Sequence, residues 1–232
     1  AQDKSRAKLF SKLGREISVA VRAGGEDVAS NIRLRSAISA AKSANMPKEN
    51  IDRAIKKGKG NDPDSNYQEV RYEGYGPQGT AVIVEALTNN KNRTASEIRS
   101  TFSKNGGTLA ETGSVSYNFE KVGSIILKRS IATEEQIFEF AIENGSTDIE
   151  TNKDVYSIYC EINDFQNLVE KISKKFELPM SSQIIWRAKK GINLELESAK
   201  KMLNLVNALE DNDDVQKVSS NIELTDSILN EL

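Results

Sequence analysis

The sequence predicts an α+β protein of three domains: a basic N-terminal three-helix bundle followed by two small α/β sandwich domains, one ferredoxin-like and inserted in the other. Three observations carry this. Apolar residues recur at helical spacing through residues 4–58, the period shortens to that of strands from Glu69 onward, and a helix and strand return after a self-contained alternating block. A chain of 232 residues with 38% apolar content has the material for several cores.

Charge separates the first module from the rest. Residues 1–60 hold 14 Lys/Arg against 6 Asp/Glu, a net +8, and the remainder holds 18 against 28, a net −10. A basic module on an acidic body suits a polyanion at one end only, because Lys and Arg release condensed counterions from phosphates without reading sequence. In a helix over 4–22, Leu9, Phe10, Leu13, Ile17, Ala20 and Val21 share an arc, and Lys4, Lys8, Lys12, Arg15 and Arg22 line the opposite side. Arg6 falls in the apolar arc, and Gly24-Gly25 end the helix. A second helix over about 30–43 buries Leu34, Ile38 and Ala41 and turns Arg35, Ser39 and Lys42 elsewhere. Pro47 suits the first turn of a third, which buries Ile51, Ala54 and Ile55, presents Arg53, Lys56 and Lys57, and ends at Gly58. Helices two and three can be read as a helix-turn-helix offering Lys48, Arg53, Lys56 and Lys57 to DNA, although phosphate contact without base readout is the expected mode.

Residues 59–66 read as a linker, and strands at 69–75 and 80–88 flank the turn Gly76-Pro77-Gln78-Gly79. Lys91, Asn92 and Arg93 fall on a polar loop, a candidate second phosphate contact, ahead of the capping box Thr94-Ala95-Ser96-Glu97. Strands follow at 114–120 and 123–128, then a helix from Thr133, a strand at 155–161, a helix at 164–176 and a strand at 182–188. Residues 123–188 therefore read βαβαβ. Trp186, Tyr156 and Tyr159 invite base stacking, but aromatics in alternating strands are expected in the core. A helix at about 194–210, a solvated turn at Asp211-Asn212-Asp213-Asp214 and a strand at 215–222 close the chain. The expected domains are 1–62, basic and helical; 67–122 plus 190–232, discontinuous α/β; and 123–189, the ferredoxin-like insertion.

Composition narrows the chemistry. One cysteine, Cys160, within an alternating run reads as a strand residue and allows no intramolecular disulfide or cysteine zinc site. The absence of histidine removes Ser-His and Cys-His pairs and His-ligated metals. No carboxylate spacing carries catalytic mechanics, and the aspartate turn lacks the Gly and distal Glu of a calcium loop. No enzyme, catalytic residue, metal, cofactor, small-molecule substrate or membrane partner is expected. No apolar run approaches the length of a membrane helix or signal sequence, so a cytoplasmic location is the expectation.

Several collinear motifs are more specific. Asn31-Ile32-Arg33-Leu34-Arg35, the run Ala44-Asn45-Met46-Pro47-Lys48-Glu49-Asn50-Ile51, and Arg53-Ala54-Ile55-Lys56-Lys57-Gly58 are followed by Tyr72-Glu73-Gly74-Tyr75-Gly76-Pro77. Asn92-Arg93-Thr94, Phe102-Ser103-Lys104-Asn105-Gly106-Gly107 and Ala208-Leu209-Glu210-Asp211-Asn212-Asp213-Asp214-Val215 complete the set. Over nearly the whole chain the sequence resembles the YebC/PmpR family, which includes a translational activator of mitochondrial cytochrome oxidase subunit I. The resemblance implies a helical domain and two α/β domains, in a cytoplasmic DNA-binding transcriptional regulator or a translation factor acting on ribosomes. It supplies no catalytic residues. The family usually begins with a short basic stretch containing His, Lys and Trp ahead of Ala1-Gln2-Asp3, so the resemblance implies a trimmed N-terminus and discounts the zero histidine count. Gln78 stands where the family usually has glycine. The expected partner is nucleic acid, either duplex DNA or ribosomal RNA, with the oligomeric state open and a monomer favoured.

Overall fold

The apolar arcs of the first 60 residues close on one another as α1 (Gln2–Gly24), α2 (Ile32–Ser43) and α3 (Lys48–Lys59). The computed structural model describes residues 2–232; Ala1, the first residue assigned to the basic domain, lies outside the described residues. Ile17, Ala20, Val21, Leu34, Ala37, Ala41, Met46, Ile51 and Ala54 form the bundle core. Asn31 joins two helix ends at once. Its side-chain oxygen caps α2 by accepting from Leu34 N at 3.0 Å, and its amide donates to the carbonyls of Ala20 and Gly25, both at 2.8 Å. That cap starts α2 at Ile32 rather than at residue 30, and α3 continues one residue past Gly58.

Beyond the bundle come β1 (Gln68–Tyr75), β2 (Ala81–Thr88), α4 (Lys91–Lys104), β3 (Thr108–Ala110), β4 (Phe119–Lys128) and α5 (Glu134–Glu143). Then follow β5 (Ser146–Thr151), β6 (Val155–Cys160), α6 (Ile162–Lys175), β7 (Ser181–Ala188) and β8 (Ile192–Asn193). The chain closes with α7 (Leu196–Glu210), β9 (Val215–Ser220), β10 (Ile222–Glu223) and α8 (Asp226–Leu229).

An antiparallel sheet of order β3-β1-β2-β9 forms the second domain. The mostly apolar run of β2 is explained by burial on both faces. Val82 and Val84 pack with Ile98 and Phe102 of α4 and Met202, Leu205 and Leu209 of α7, whereas Ala81 and Ile83 pack with Val115, Phe119 and Trp186. In the turn after β1, Gln78 itself takes the left-handed conformation, φ 60° and ψ 27°, which glycine adopts without steric cost.

The third domain is an antiparallel sheet of order β5-β6-β4-β7 with α5 and α6 packed on one face, a ferredoxin-like βαββαβ unit. The expected βαβαβ pattern lacked β5. That strand, Ser-Thr-Asp-Ile-Glu-Thr, lies at the sheet edge with Ile149 as its one apolar side chain, so it carries no alternation signal. The two strands expected at 114–120 and 123–128 are the single β4, preceded by a 3-10 turn at Ser116–Asn118. Gly123 does not interrupt β4; a Cβ there would lie 2.5 Å from Phe165 and 2.8 Å from Cys160 Sγ, so the glycine admits α6.

Gly58 plays the same part between helices, where a Cβ would sit 2.5 Å from the Ser18 carbonyl oxygen and 2.8 Å from Val21 Cβ. Gly58→Ala gains up to about 1 kcal/mol in helix propensity but overpacks the α1–α3 contact by roughly 1–3 kcal/mol. We expect a net loss of about 1 kcal/mol, read as a lower urea midpoint; a stabilised variant would refute the close packing.

Candidate nucleic-acid interface

The basic side of α1 faces the acidic turn that follows α7. Lys8 Nζ pairs with Asp211 Oδ1 at 2.8 Å and Asp213 Oδ1 at 3.6 Å, and Lys12 Nζ donates to the Glu210 carbonyl. The hydrogen bond to Asp211 holds the Lys8 ammonium above its ordinary pKa, whereas burial pulls Lys12 below it. Arg15 donates to Asp214 Oδ1 at 2.7 Å and to the Leu87 carbonyl at 2.8 Å, and its guanidinium lies 4.3 Å from the Tyr67 ring centre.

Asp214 is the hub of this contact. It is 4% exposed and also accepts from Arg93 at 3.0 Å and Thr94 Oγ1 at 2.7 Å. The expected capping box at Thr94 is therefore corrected. Asn90 caps α4 by accepting from Arg93 N, so Lys91, Asn92 and Arg93 form the first helical turn and the Thr94 hydroxyl points at Asp214. The solvated turn at 211–214 is corrected as well: Asp211 and Asp213 are exposed, but Asp214 is buried between two arginines.

Two more candidates hold the domains in place. Arg22 donates to the carbonyls of Ser65 and Gly60 and to Asn66 Oδ1, fastening the linker. Arg35 pairs with Glu170 of α6 at 2.9 Å and donates to the Val28 and Ala29 carbonyls. Arg33, outside the candidate set, bridges Glu16 of α1 and Glu69 of β1.

Lys4, Lys42, Lys48, Arg53, Lys56, Lys57, Lys91 and Asn92 are exposed, and the cations among them form no ion pair with other described residues. Arg53, Lys56 and Lys57 occupy the side of α3 opposite buried Ile51, Ala54 and Gly58, and Glu49 and Asp52 share that side. Tyr67 joins this face to α4. Lys57 Nζ lies 5.8 Å from its ring centre, Arg15 stacks on the same ring, and Asn89 of the α4 approach donates to the Asp64 carbonyl at 3.0 Å. The C-terminal end of α3 and the first turn of α4 thus belong to one continuous surface.

The aromatic candidates do not form a stacking surface. Tyr156 is 1% exposed and its hydroxyl donates to the Ala132 carbonyl. Tyr159 lies beneath the Arg187 guanidinium at 3.6 Å, and half-buried Trp186 has Arg71 at 5.2 Å and Lys121 at 5.4 Å. Burial pushes the Cys160 thiol up to about 11, which keeps it unreactive at neutral pH. Sequence reasoning passed over two groups. Glu73, 0% exposed, accepts from the backbone N–H groups of Gly113, Val115 and Ser116, and Tyr117 is 68% exposed on the loop so held. Glu73 sits inside the quoted motif Tyr72-Glu73-Gly74, and a charged residue in the middle of a strand was the available signal.

Burial raises the pKa of both buried carboxylates, but the hydrogen bonds to Asp214 from Thr94, Arg15 and Arg93, and to Glu73 from three backbone N–H groups, outweigh it. Both end below their ordinary values of 3.8 and 4.5. A depressed folded pKa contributes stability that is present above the unfolded value and lost as pH falls through the folded one. Asp214→Asn leaves Arg15 and Arg93 without their anion. We expect a loss of about 2–3 kcal/mol, toward the low end for a broken buried pair because Arg93 is half exposed, and a weaker acid dependence below about pH 4. Urea unfolding at pH 7 and pH 3 checks this; equal stability of the two proteins at pH 7 would contradict the hub.

The described helices include none long and apolar enough to cross a membrane. A family model described as the TACO1/YebC protein N-terminal domain matches residues 1–61. A second, described as the TACO1/YebC second and third domain and named for transcription regulation, matches residues 67–222. The crystal structure of a conserved hypothetical protein from Aquifex aeolicus is similar at a TM-score of 0.89 and 44% identity, covering 99% of this chain and 95% of that one. With both family models matched end to end along the same helical bundle and paired α/β domains, the chain belongs to the TACO1/YebC family.

Proposed function

We propose that this protein is a non-catalytic regulator that binds nucleic acid phosphates through the outer face of α3 and the first turn of α4. The observation that carries the reading is the division of labour among its cations. Lys8, Lys12, Arg15, Arg22, Arg35 and Arg93 are committed to contacts within the protein, whereas Arg53, Lys56, Lys57 and Lys91 are exposed without a carboxylate partner among the described residues. Holding unpaired cations together on one face is unfavourable in isolation and favourable when a polyanion releases its counterions onto them. A cytoplasmic site of action goes with this partner.

The finer reading supported by the family model's name is a DNA-binding transcriptional regulator. A second, a factor bound to ribosomal RNA, has a specific observation in its favour. The outer face of α3 mixes its cations with Glu49 and Asp52, and Arg53 is its one guanidinium, the planar fork that suits bidentate contact better than a flexible lysine. Such a face grips backbone and shape, as folded RNA is gripped, more readily than it reads a duplex sequence.

Sedimentation with ribosomes at near-physiological salt, in competition with specific or random duplex DNA, separates the two. Retention despite DNA supports the RNA reading, and release by one DNA sequence alone supports the transcriptional one. For either, Arg53→Glu combined with Lys56→Glu should weaken binding at least about tenfold and flatten the salt dependence of log K by about 0.9 for each duplex phosphate no longer neutralised. Undiminished binding by that double variant would sink the proposal.

A further inference from the structure

Sequence between β3 and β4 builds a loop whose backbone is fixed from below. Buried Glu73 accepts from Gly113, Val115 and Ser116, and the Tyr75 hydroxyl donates to the Ser114 carbonyl at 3.3 Å. On this fixed loop Tyr117 is 68% exposed, and Tyr75, hydrogen-bonded to Ser114 of the same loop, is 38% exposed. Lys189 N donates to the Asn118 carbonyl at 2.9 Å, extending the β4–β7 ladder past its last pair, Phe119 and Ala188. Lys189, exposed like Lys190, is thereby hydrogen-bonded through its backbone to the residue that follows Tyr117.

A single exposed aromatic is ordinary on a protein surface. Here the ring stands on a backbone clamped by a buried carboxylate, one residue before the carbonyl that accepts from Lys189 N. We propose that Tyr117 is a stacking platform for an unpaired nucleobase, and that Lys189 and Lys190 hold its flanking phosphates. This rests on the nucleic-acid reading above and adds to it the kind of strand recognised. A duplex keeps its bases stacked on one another and offers no free face to a tyrosine, whereas a single strand or an unpaired loop does. Because the loop is already ordered, stacking does not have to offset its immobilisation.

Base–aromatic stacking is worth roughly 1–3 kcal/mol per base, about a 5- to 150-fold effect on affinity. The test is fluorescence anisotropy with the full chain and three labelled probes: oligouridylate and oligothymidylate of about 12 nucleotides, and a duplex DNA. Tyr117→Ala should weaken single-strand binding at least about fivefold while leaving duplex affinity unchanged, and Tyr117→Phe should bind like the parent because the ring is retained. Lys189→Glu with Lys190→Glu should weaken the single strands and reduce their salt dependence. Loss on oligouridylate alone would assign the platform to RNA, and equal loss on both to any unpaired strand. Unchanged single-strand affinity in Tyr117→Ala, an equal loss on the duplex, or a Tyr117→Phe defect as large as that of Tyr117→Ala would overturn the proposal. Sensitivity to Lys56→Glu without sensitivity to Tyr117→Ala removes the platform but leaves the phosphate-binding reading intact. A parent protein that binds none of the three probes removes both.

Discussion

The carboxylate of Asp214 is the point on which the arrangement of the first two domains depends. It lies at the start of β9, where its own carbonyl accepts from Leu87 N of β2, so its backbone belongs to the central sheet. One carboxylate oxygen takes Arg15 from α1 and the other takes Arg93 and Thr94 from α4. A buried anion left alone would be strongly unfavourable, and two guanidinium groups with a hydroxyl satisfy it from three directions. The bundle, the sheet and the helix covering the sheet are thereby joined in one hydrogen-bonded group.

This arrangement changes the meaning of the charge asymmetry. A net +8 in the first 60 residues is not all available to a polyanion. The α1 cations meet the negatively charged C-terminal end of α7, where unpaired carbonyls and Asp211 and Asp213 supply the complementary charge. Lys4 of α1 and Lys42 of α2 remain outward, and so do the cations of α3, which are joined to the start of α4 across Tyr67. Part of the opposite charge of the two modules is interdomain attraction, and part of the positive charge is left for a partner.

Glu73 does for the junction of the second and third domains what Asp214 does for the first. Its three backbone hydrogen bonds fix the segment leading from β3 into β4, and Val115 and Phe119 of that segment then cover the second face of β2 with Trp186 of β7. A sheet buried by helices on one side and by a neighbouring domain on the other explains why β2 has no polar face. Lys217 of β9 lies in the same interface and donates to the Ile184 carbonyl of β7 at 3.0 Å.

Period and punctuation in the sequence determined the fold class: three amphipathic helices, then strands, and a ferredoxin-like block, because amphipathic spacing is a local property that survives whatever the element packs against. Apolar positions of α1 and α3 such as Ile17, Ala20, Ile51 and Ala54 were legible for that reason. β5 was not, since an edge strand with a single apolar residue takes its identity from pairing with β6. Nor was the use of each cation. Lys8 and Lys56 look alike along the chain, on the outer stripes of basic helices, and which one meets a carboxylate depends on a partner 203 residues away in one case and on none among the described residues in the other. The sequence determined that the N-terminal module is basic and helical. Only the tertiary structure decided which of its charges face outward, because ion pairing is set by distance in space and periodicity carries no information about it.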